Sequence, residues 1–138
     1  MPGYLDTSAF IKLVRSEPES RALRDELHSA GTELFSSALL SVEGRRAARR
    51  YGKLASVRAN AALATVTLVA LDQQIIEIAG DLEHAELRSL DALHLATIVS
   101  LGDDVERVYC YDSRLSAAAR DLGVDVVEPG HRPGTTNS

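Results

Sequence analysis

Residues 107–127 read Arg107-Val108-Tyr109-Cys110-Tyr111-Asp112-Ser113-Arg114-Leu115-Ser116-Ala117-Ala118-Ala119-Arg120-Asp121-Leu122-Gly123-Val124-Asp125-Val126-Val127. The apolar run Val108 to Tyr111 predicts a strand ending at Asp112. Ser113 to Leu122 predicts a helix stopped by Gly123, and Val124 to Val127 predicts the next strand. Outward from this unit the same alternation continues. Leu90 to Leu101 is nearly all apolar and predicts a buried helix stopped by Gly102. Val66 to Leu71 predicts a buried strand, followed by a helix from Gln73 to Ala79. Leu54 to Ala64 is Ala-rich and helical. A helix from Ala38 to Tyr51 follows Ser36 or Ser37 as its cap. Glu33 to Phe35 and Tyr4-Leu5 predict strands, with helices over Ser8 to Val14 and Glu19 to Ala30. Strands alternating with helices imply an α/β fold, a three-layer α/β/α sandwich around a mainly parallel sheet.

Composition sets the outer bounds. The chain has 138 residues, 45% of them hydrophobic and only 4% aromatic, with no Trp. That predicts one domain, over 1–128, with an aliphatic core. The segment 129–138 carries Pro, Gly, Thr, Asn and Ser without an apolar pattern and is expected to be a disordered tail. The one cysteine, Cys110, excludes an internal disulfide and suits a reducing cytoplasm; it reads as a small buried hydrophobe. No apolar run approaches the ~18 residues of a spanning helix, and the first residues lack a signal-peptide pattern. The formal net charge of −5 argues against wholesale coating of nucleic acid, while leaving room for a local basic groove.

Four acids stand out against this frame. Asp6 and Asp112 each end an apolar strand and precede a helix. Glu43 lies on the stripe Leu39, Leu40, Glu43, Ala47, and Asp91 on the stripe Leu87, Asp91, His94, Leu95, Ile98. Ligands of an open parallel sheet bind beyond the carboxyl ends of its strands, where the strand order switches, so these acids share a plausible address. Two unit charges ~4 Å apart repel by about 4 kcal/mol at an effective dielectric near 20. Four together need a cation, and a hard divalent ion such as Mg²⁺, with Mn²⁺ as the variant, suits carboxylate oxygens. The plainer readings are N-caps for Asp6, Asp91 and Asp112, and for Glu43 a half-exposed helix residue paired with Arg46 or Arg50. Ser8 serves equally as a cap or as a site residue. Thr7 reads as a backbone-bonding residue at the strand end, and His94 as a hydrogen-bonded core histidine.

The strings Tyr4-Leu5-Asp6-Thr7-Ser8, Leu40-Ser41-Val42-Glu43, Leu90-Asp91-Ala92-Leu93-His94-Leu95-Ala96-Thr97 and Tyr111-Asp112-Ser113-Arg114-Leu115 resemble the PIN-domain ribonucleases, and among them the VapC toxins of bacterial toxin–antitoxin pairs. The resemblance covers residues 3 to 128. It implies a PIN-like parallel sheet, a Mg²⁺-dependent endoribonuclease acting on RNA, a homodimer, and a small VapB-like antitoxin. It also implies that Asp6, Glu43, Asp91 and Asp112 form the catalytic and metal-binding quartet and that Ser8 supports the first of them. The family often has Thr where this chain has Cys110, which puts the support of Asp112 in question.

A basic run, Arg45-Arg46-Ala47-Ala48-Arg49-Arg50-Tyr51-Gly52-Lys53, follows Glu43 directly. Its pairs spaced four apart line helix faces. Contact of Arg45, Arg46, Arg49 and Arg50 with RNA phosphates is one reading; a solvated face or salt bridges across a dimer is the other. Two other functions bear on the acids. A receiver-like Mg²⁺-binding signalling domain would use Asp72 as phosphoacceptor but lacks the required Lys after a late strand. A catalytically inactive PIN-like binding module would not need the intact quartet.

Overall fold

The structure, a computed structural model, describes residues 1–131. The strands are β1 (Pro2–Leu5), β2 (Glu33–Ser37), β3 (Val66–Val69), β4 (Arg107–Tyr109) and β5 (Val126–Val127). The helices are α1 (Thr7–Val14), α2 (Ser20–Ser29), α3 (Leu39–Arg50), α4 (Lys53–Leu63), α5 (Gln73–Asp81), α6 (Ser89–Leu101) and α7 (Ser113–Asp121). All strand pairings are parallel and the order is β3-β2-β1-β4-β5.

Strand periodicity makes the three layers. Successive side chains point to opposite faces, so Leu5, Tyr109 and Tyr111 join Phe10, Leu23, Leu40 and Leu63 in the core under α1–α4. Tyr4, Val108 and Cys110 face the other way, into a second core with Leu95, Ile98, Leu115 and Ala118 from α6 and α7. A parallel sheet covered on both faces needs strands apolar on both sides, which the β1 and β4 sequences supply.

Three sequence expectations need adjustment. Val66 to Leu71 was expected as a buried strand, but β3 ends at Val69 and only Val66 is buried; Thr67 and Leu68 are exposed. The strand order puts it at the sheet edge, so one side meets solvent. Leu90 to Leu101 was expected to be wholly buried. His94 to Ile98 are, yet Leu90 is 47% and Val99 40% exposed. An all-apolar helix carries no stripe to say which residues face out. Ser36 and Ser37 belong to β2, paired with Leu68 and Val69, and α3 starts at Leu39 with Ala38, not a serine, at its N-cap. Ser37 Oγ still accepts the Leu39 N–H at 3.1 Å, while Ser36 Oγ donates to Leu5 O at 2.6 Å.

The segment expected as a tail falls outside the described residues from 132 onward. Pro129 is tied to the body by the Tyr111 hydroxyl, which donates to its carbonyl at 2.8 Å.

α1 and α3 approach closely through Gly44. A Cβ there would lie 2.6 Å from Cε2 of Phe10, which is fully buried. Alanine normally gains up to ~1 kcal/mol over glycine inside a helix, but overpacking a filled core costs about 1–3 kcal/mol. Gly44→Ala is therefore expected to lower the urea midpoint. A midpoint at or above wild type would show that Phe10 has room to move.

Candidate active site

The strand order reverses direction between β1 and β4, and the crevice beyond their carboxyl ends is where an open α/β sheet binds ligands. Asp6 leaves β1 and Asp112 follows β4, so the fold brings both to this switch point. Each is also a helix cap. Asp6 Oδ1 accepts the Ala9 N–H at 2.9 Å and Asp112 Oδ1 accepts the Leu115 N–H at 2.9 Å. The cap and site readings thus describe the same side chains. Asp91 does not cap α6, whose N-cap is Arg88; it sits in the first turn.

Asp6 is buried and fully engaged. Ser8 Oγ donates to its carboxylate, 2.7 and 2.9 Å from the two oxygens, and Ser8 Oγ in turn accepts the Tyr111 N–H at 2.9 Å. Cys110 Sγ lies 3.1 Å from Asp6 Oδ2 and 3.6 Å from the Asp112 carbonyl. The thiol thus supports the first acid rather than the Asp112 side chain. Burial pushes the Asp6 carboxyl above its ordinary value, against the pull of His94 and the donors around it. Burial and the nearby charge of Asp6 also raise the Cys110 thiol, which stays protonated.

Glu43 pairs with neither Arg46 nor Arg50. Its Oε1 accepts from Thr7 Oγ1 at 2.7 Å and lies 2.9 Å from His94 Nε2. Partial burial works to raise this carboxyl, but the hydrogen bonds from His94 and Thr7, together with the attraction that His94 exerts when protonated, outweigh it and hold it low. Thr7 opens α1 and spends its hydroxyl on Glu43, so it is not the backbone-bonding residue expected. His94 is buried, as expected, and its other nitrogen, Nδ1, meets the Tyr4 hydroxyl at 2.7 Å. Sequence reasoning missed the Thr7, His94 and Tyr4 contacts with one another and with Glu43. The visible signal was His94 on the same helical stripe as Asp91.

Asp91 is half-buried, and its carboxyl is raised by burial first and next by the charge of Asp112. Asp6 and Glu43 add to the effect and His94 opposes it. Asp91 thus lies within electrostatic reach of the other three acids. Among the described residues, none of the four has a Lys or Arg ion-pair partner. Nor do any three Asp, Glu, His or Cys residues stand at metal-ligand spacing among the described residues. The donor set itself, carboxylate oxygens without thiolate or a free imidazole, fits a hard divalent cation.

Arg45, Arg46, Arg49 and Arg50 are all exposed on α3, beyond Glu43, with no ion pair among the described residues. Asp72, the receiver-type candidate, is an exposed cap of α5 beside edge strand β3. The observed strand order also differs from the 2-1-3-4-5 of receiver domains.

Fold and residues define a class: an α/β/α sandwich with acidic residues at the switch point of a parallel sheet. The PIN domain model matches residues 3–121, and the chain belongs to that family. It is 44% identical to Ribonuclease VapC46 of Mycobacterium tuberculosis over 126 residues, covering 91% of this chain and 96% of the relative. Ribonuclease VapC35 of the same species is 40% identical over 131 residues, covering 92% and 96%. Among solved structures, M. tuberculosis VapC20, a Sarcin-Ricin loop cleaving toxin, superposes with a TM-score of 0.71 at 20% identity, covering 92% of this chain and 99% of that one. VapBC2 of Rickettsia felis, bound to a DNA fragment from its promoter, gives 0.72 at 10% identity, covering 94% and 99%. The structural likenesses establish the fold.

Proposed function

We propose that this chain is a divalent-metal-dependent endoribonuclease, the toxin of a type II toxin–antitoxin pair, held in check by a VapB-like antitoxin. The observation that supports the reading is the placement of Asp6 and Asp112 beyond the carboxyl ends of the adjacent strands β1 and β4, with Glu43 bonded to Thr7, next to Asp6, and to His94, one turn from Asp91, and no Lys or Arg ion pair on any of the four among the described residues. PIN-domain ribonucleases in general depend on a divalent metal. Mg²⁺ is the proposed ion, with Mn²⁺ able to replace it, and the cytoplasm is the proposed compartment.

Asp6 and Asp91 are assigned as direct ligands, and Glu43 and Asp112 as ligands made directly or through water. A divalent cation bound here supplies an activated water and neutralises charge on phosphoryl oxygens. Ser8 holds Asp6 in place. Hydrolysis by water rather than by the neighbouring 2′-hydroxyl leaves a 5′-phosphate and a 3′-hydroxyl. The test is purified protein on RNA with Mg²⁺, with Mn²⁺ and with EDTA, followed by end-group analysis. Cleavage that survives EDTA, or that leaves cyclic phosphate ends, would sink the assignment.

The Arg45, Arg46, Arg49 and Arg50 face is assigned to phosphate contact. Replacing all four by Gln is expected to raise KM for RNA several-fold and to flatten its salt dependence, each lost contact lowering the slope by about 1. An unchanged slope would return these arginines to the role of a solvated face. A homodimer is proposed through α3 and α4, where Val42, Leu54 and Val57 stand 58%, 62% and 64% exposed. Light scattering at tens of micromolar (roughly) that gave a monomer mass would count against it.

A further inference from the structure

The contacts between β1, α1, α3 and α6 form a single hydrogen-bonded line. The Ser37 N–H donates to Tyr4 Oη at 3.2 Å. Ser36 Oγ and Thr97 Oγ1, the other hydroxyls beside Tyr4, spend their own protons on Leu5 O at 2.6 Å and Leu93 O at 2.7 Å. Their oxygens can still accept, so the direction of the Tyr4–His94 bond is set from the far side of the ring: the Glu43 carboxylate 2.9 Å from Nε2 only accepts, so Nε2 carries a proton, and in the neutral imidazole Nδ1 then accepts from Tyr4 at 2.7 Å. An imidazole that accepts at Nδ1 and is neutral carries its proton on Nε2. At 2.9 Å from that nitrogen is Glu43 Oε1, and at 3.1 Å is Thr7 Oγ1. Thr7 donates its own proton to the same Glu43 oxygen at 2.7 Å. The line runs Ser37 N–H to Tyr4, Tyr4 to His94 Nδ1, His94 Nε2–H to Glu43 Oε1, with Thr7 as the second donor.

Packing holds the imidazole in this register. The Tyr4 and His94 rings meet edge to face, 5.9 Å between centroids at 85°, and both side chains are buried. Glu43 Oε2 has no hydrogen bond among the described residues.

We infer that Tyr4 and His94 are positioning residues: Tyr4 selects the Nε2–H tautomer of His94, and His94 with Thr7 clamps Glu43 Oε1, leaving Oε2 as the oxygen offered to the cation. The inference rests on the metal-site reading of Glu43. Its physical logic is that of outer-sphere partners, which orient a ligand and typically change metal affinity by about 10- to 100-fold when removed.

Two measurements on the full chain test it. The first uses metal-free, ¹⁵N-histidine-labelled protein at about pH 8, above the ordinary histidine pKa near 6.5. The chain has 4 histidines, and the His94 signals are those lost in His94→Gln. The expected pattern is a protonated Nε2 and an unprotonated, hydrogen-bonded Nδ1. A proton on Nδ1, alone or together with Nε2, overturns the assignment. In Tyr4→Phe the Nδ1–H form should become populated.

The second is titration with Mn²⁺, followed by loss of the free-ion spin-resonance signal. His94→Leu is expected to weaken Mn²⁺ binding by about 10-fold or more. His94→Gln, whose amide can donate to Glu43, should recover most of it. Tyr4→Phe, which removes one oxygen, should weaken it several-fold, and it carries the test if His94→Leu does not fold. Wild-type affinity in the folded His94→Leu and Tyr4→Phe proteins overturns the inference alone. A wild-type chain that binds no Mn²⁺ overturns the metal-site reading, and the inference with it.

Discussion

Asp6→Asn and Asp91→Asn should each reduce RNA cleavage by about 10³-fold or more, a loss of ~4 kcal/mol of transition-state stabilisation, while the metal-free protein becomes more stable. Both parts follow from one cause. The substitutions are nearly isosteric, so the Ala9 and Ser8 donors around residue 6 keep an acceptor. What is lost is the charge that a cation needs and that burial in the metal-free fold disfavours. Burial raises the Asp6 carboxyl; burial and then the Asp112 charge raise that of Asp91. A raised carboxyl binds its proton more tightly in the folded chain than in the unfolded one. The metal-free fold therefore loses stability as pH rises from the ordinary carboxylate value through the raised one, and the loss is complete above it. Asn has no such dependence. Thermal melts in EDTA should show each Asn variant above wild type, by a margin that widens as pH rises from acid to neutral. Added Mg²⁺ should raise the melting temperature of wild type and not of the variants. Cleavage retained in both variants removes these residues from the mechanism. A melting-temperature margin that shrinks with rising pH contradicts the electrostatic account even if activity is lost.

Lys12→Met should destabilise the protein by about 3–5 kcal/mol, a fall in melting temperature of roughly 10 °C or more for a chain of this size. Lys12 lies in the last turn of α1 and is buried. Its Nζ is 3.0 Å from Glu19 Oε1, also buried, and 3.4 Å from Glu17 Oε1. It also sits over the Tyr111 ring, 4.7 Å from the centroid. Removing the ammonium leaves Glu19 buried without its partner, and that uncompensated charge supplies most of the cost. The double change Lys12→Met with Glu19→Met should recover most of the loss, because a buried pair replaced by apolar side chains is often neutral. The effect should reach the site as well. Tyr111 donates its N–H to Ser8 Oγ, the group that holds Asp6, so a loosened Tyr111 should lower the affinity for divalent metal. A single-variant shift of less than about 2 °C, or a double variant no better than the single, would show that the pair contributes little.

Much of this molecule is legible in short stretches of chain. The run from Val108 to Val127 carries its own strand, helix and strand, because side-chain period and the breaking effect of Gly123 act over a few residues. The same holds for β1 with α1. It also holds for the two acids that end strands, since a carboxylate after an apolar strand both caps the next helix and lies at the carboxyl end of the sheet. Asp6 and Asp112 could be named as candidates for that reason, and Glu43 and Asp91 as carboxylates on otherwise apolar helix stripes.

Other features needed the assembled fold. That β3 lies at an edge, and so exposes Thr67 and Leu68, depends on β1 and β4 pairing at the centre, which no local pattern states. Glu43 sits near two arginines in sequence but bonds to Thr7, 36 positions away, and to His94, 51 positions away. Cys110 supports Asp6 across 104 positions rather than the side chain of its neighbour Asp112. By itself the sequence determined the kinds of element, their order and the residues bearing charge. Which strands adjoin, and which donor reaches which carboxylate, only the tertiary structure decided: such contacts are chosen by packing and register across the whole sheet, not by propensities that act within a few residues.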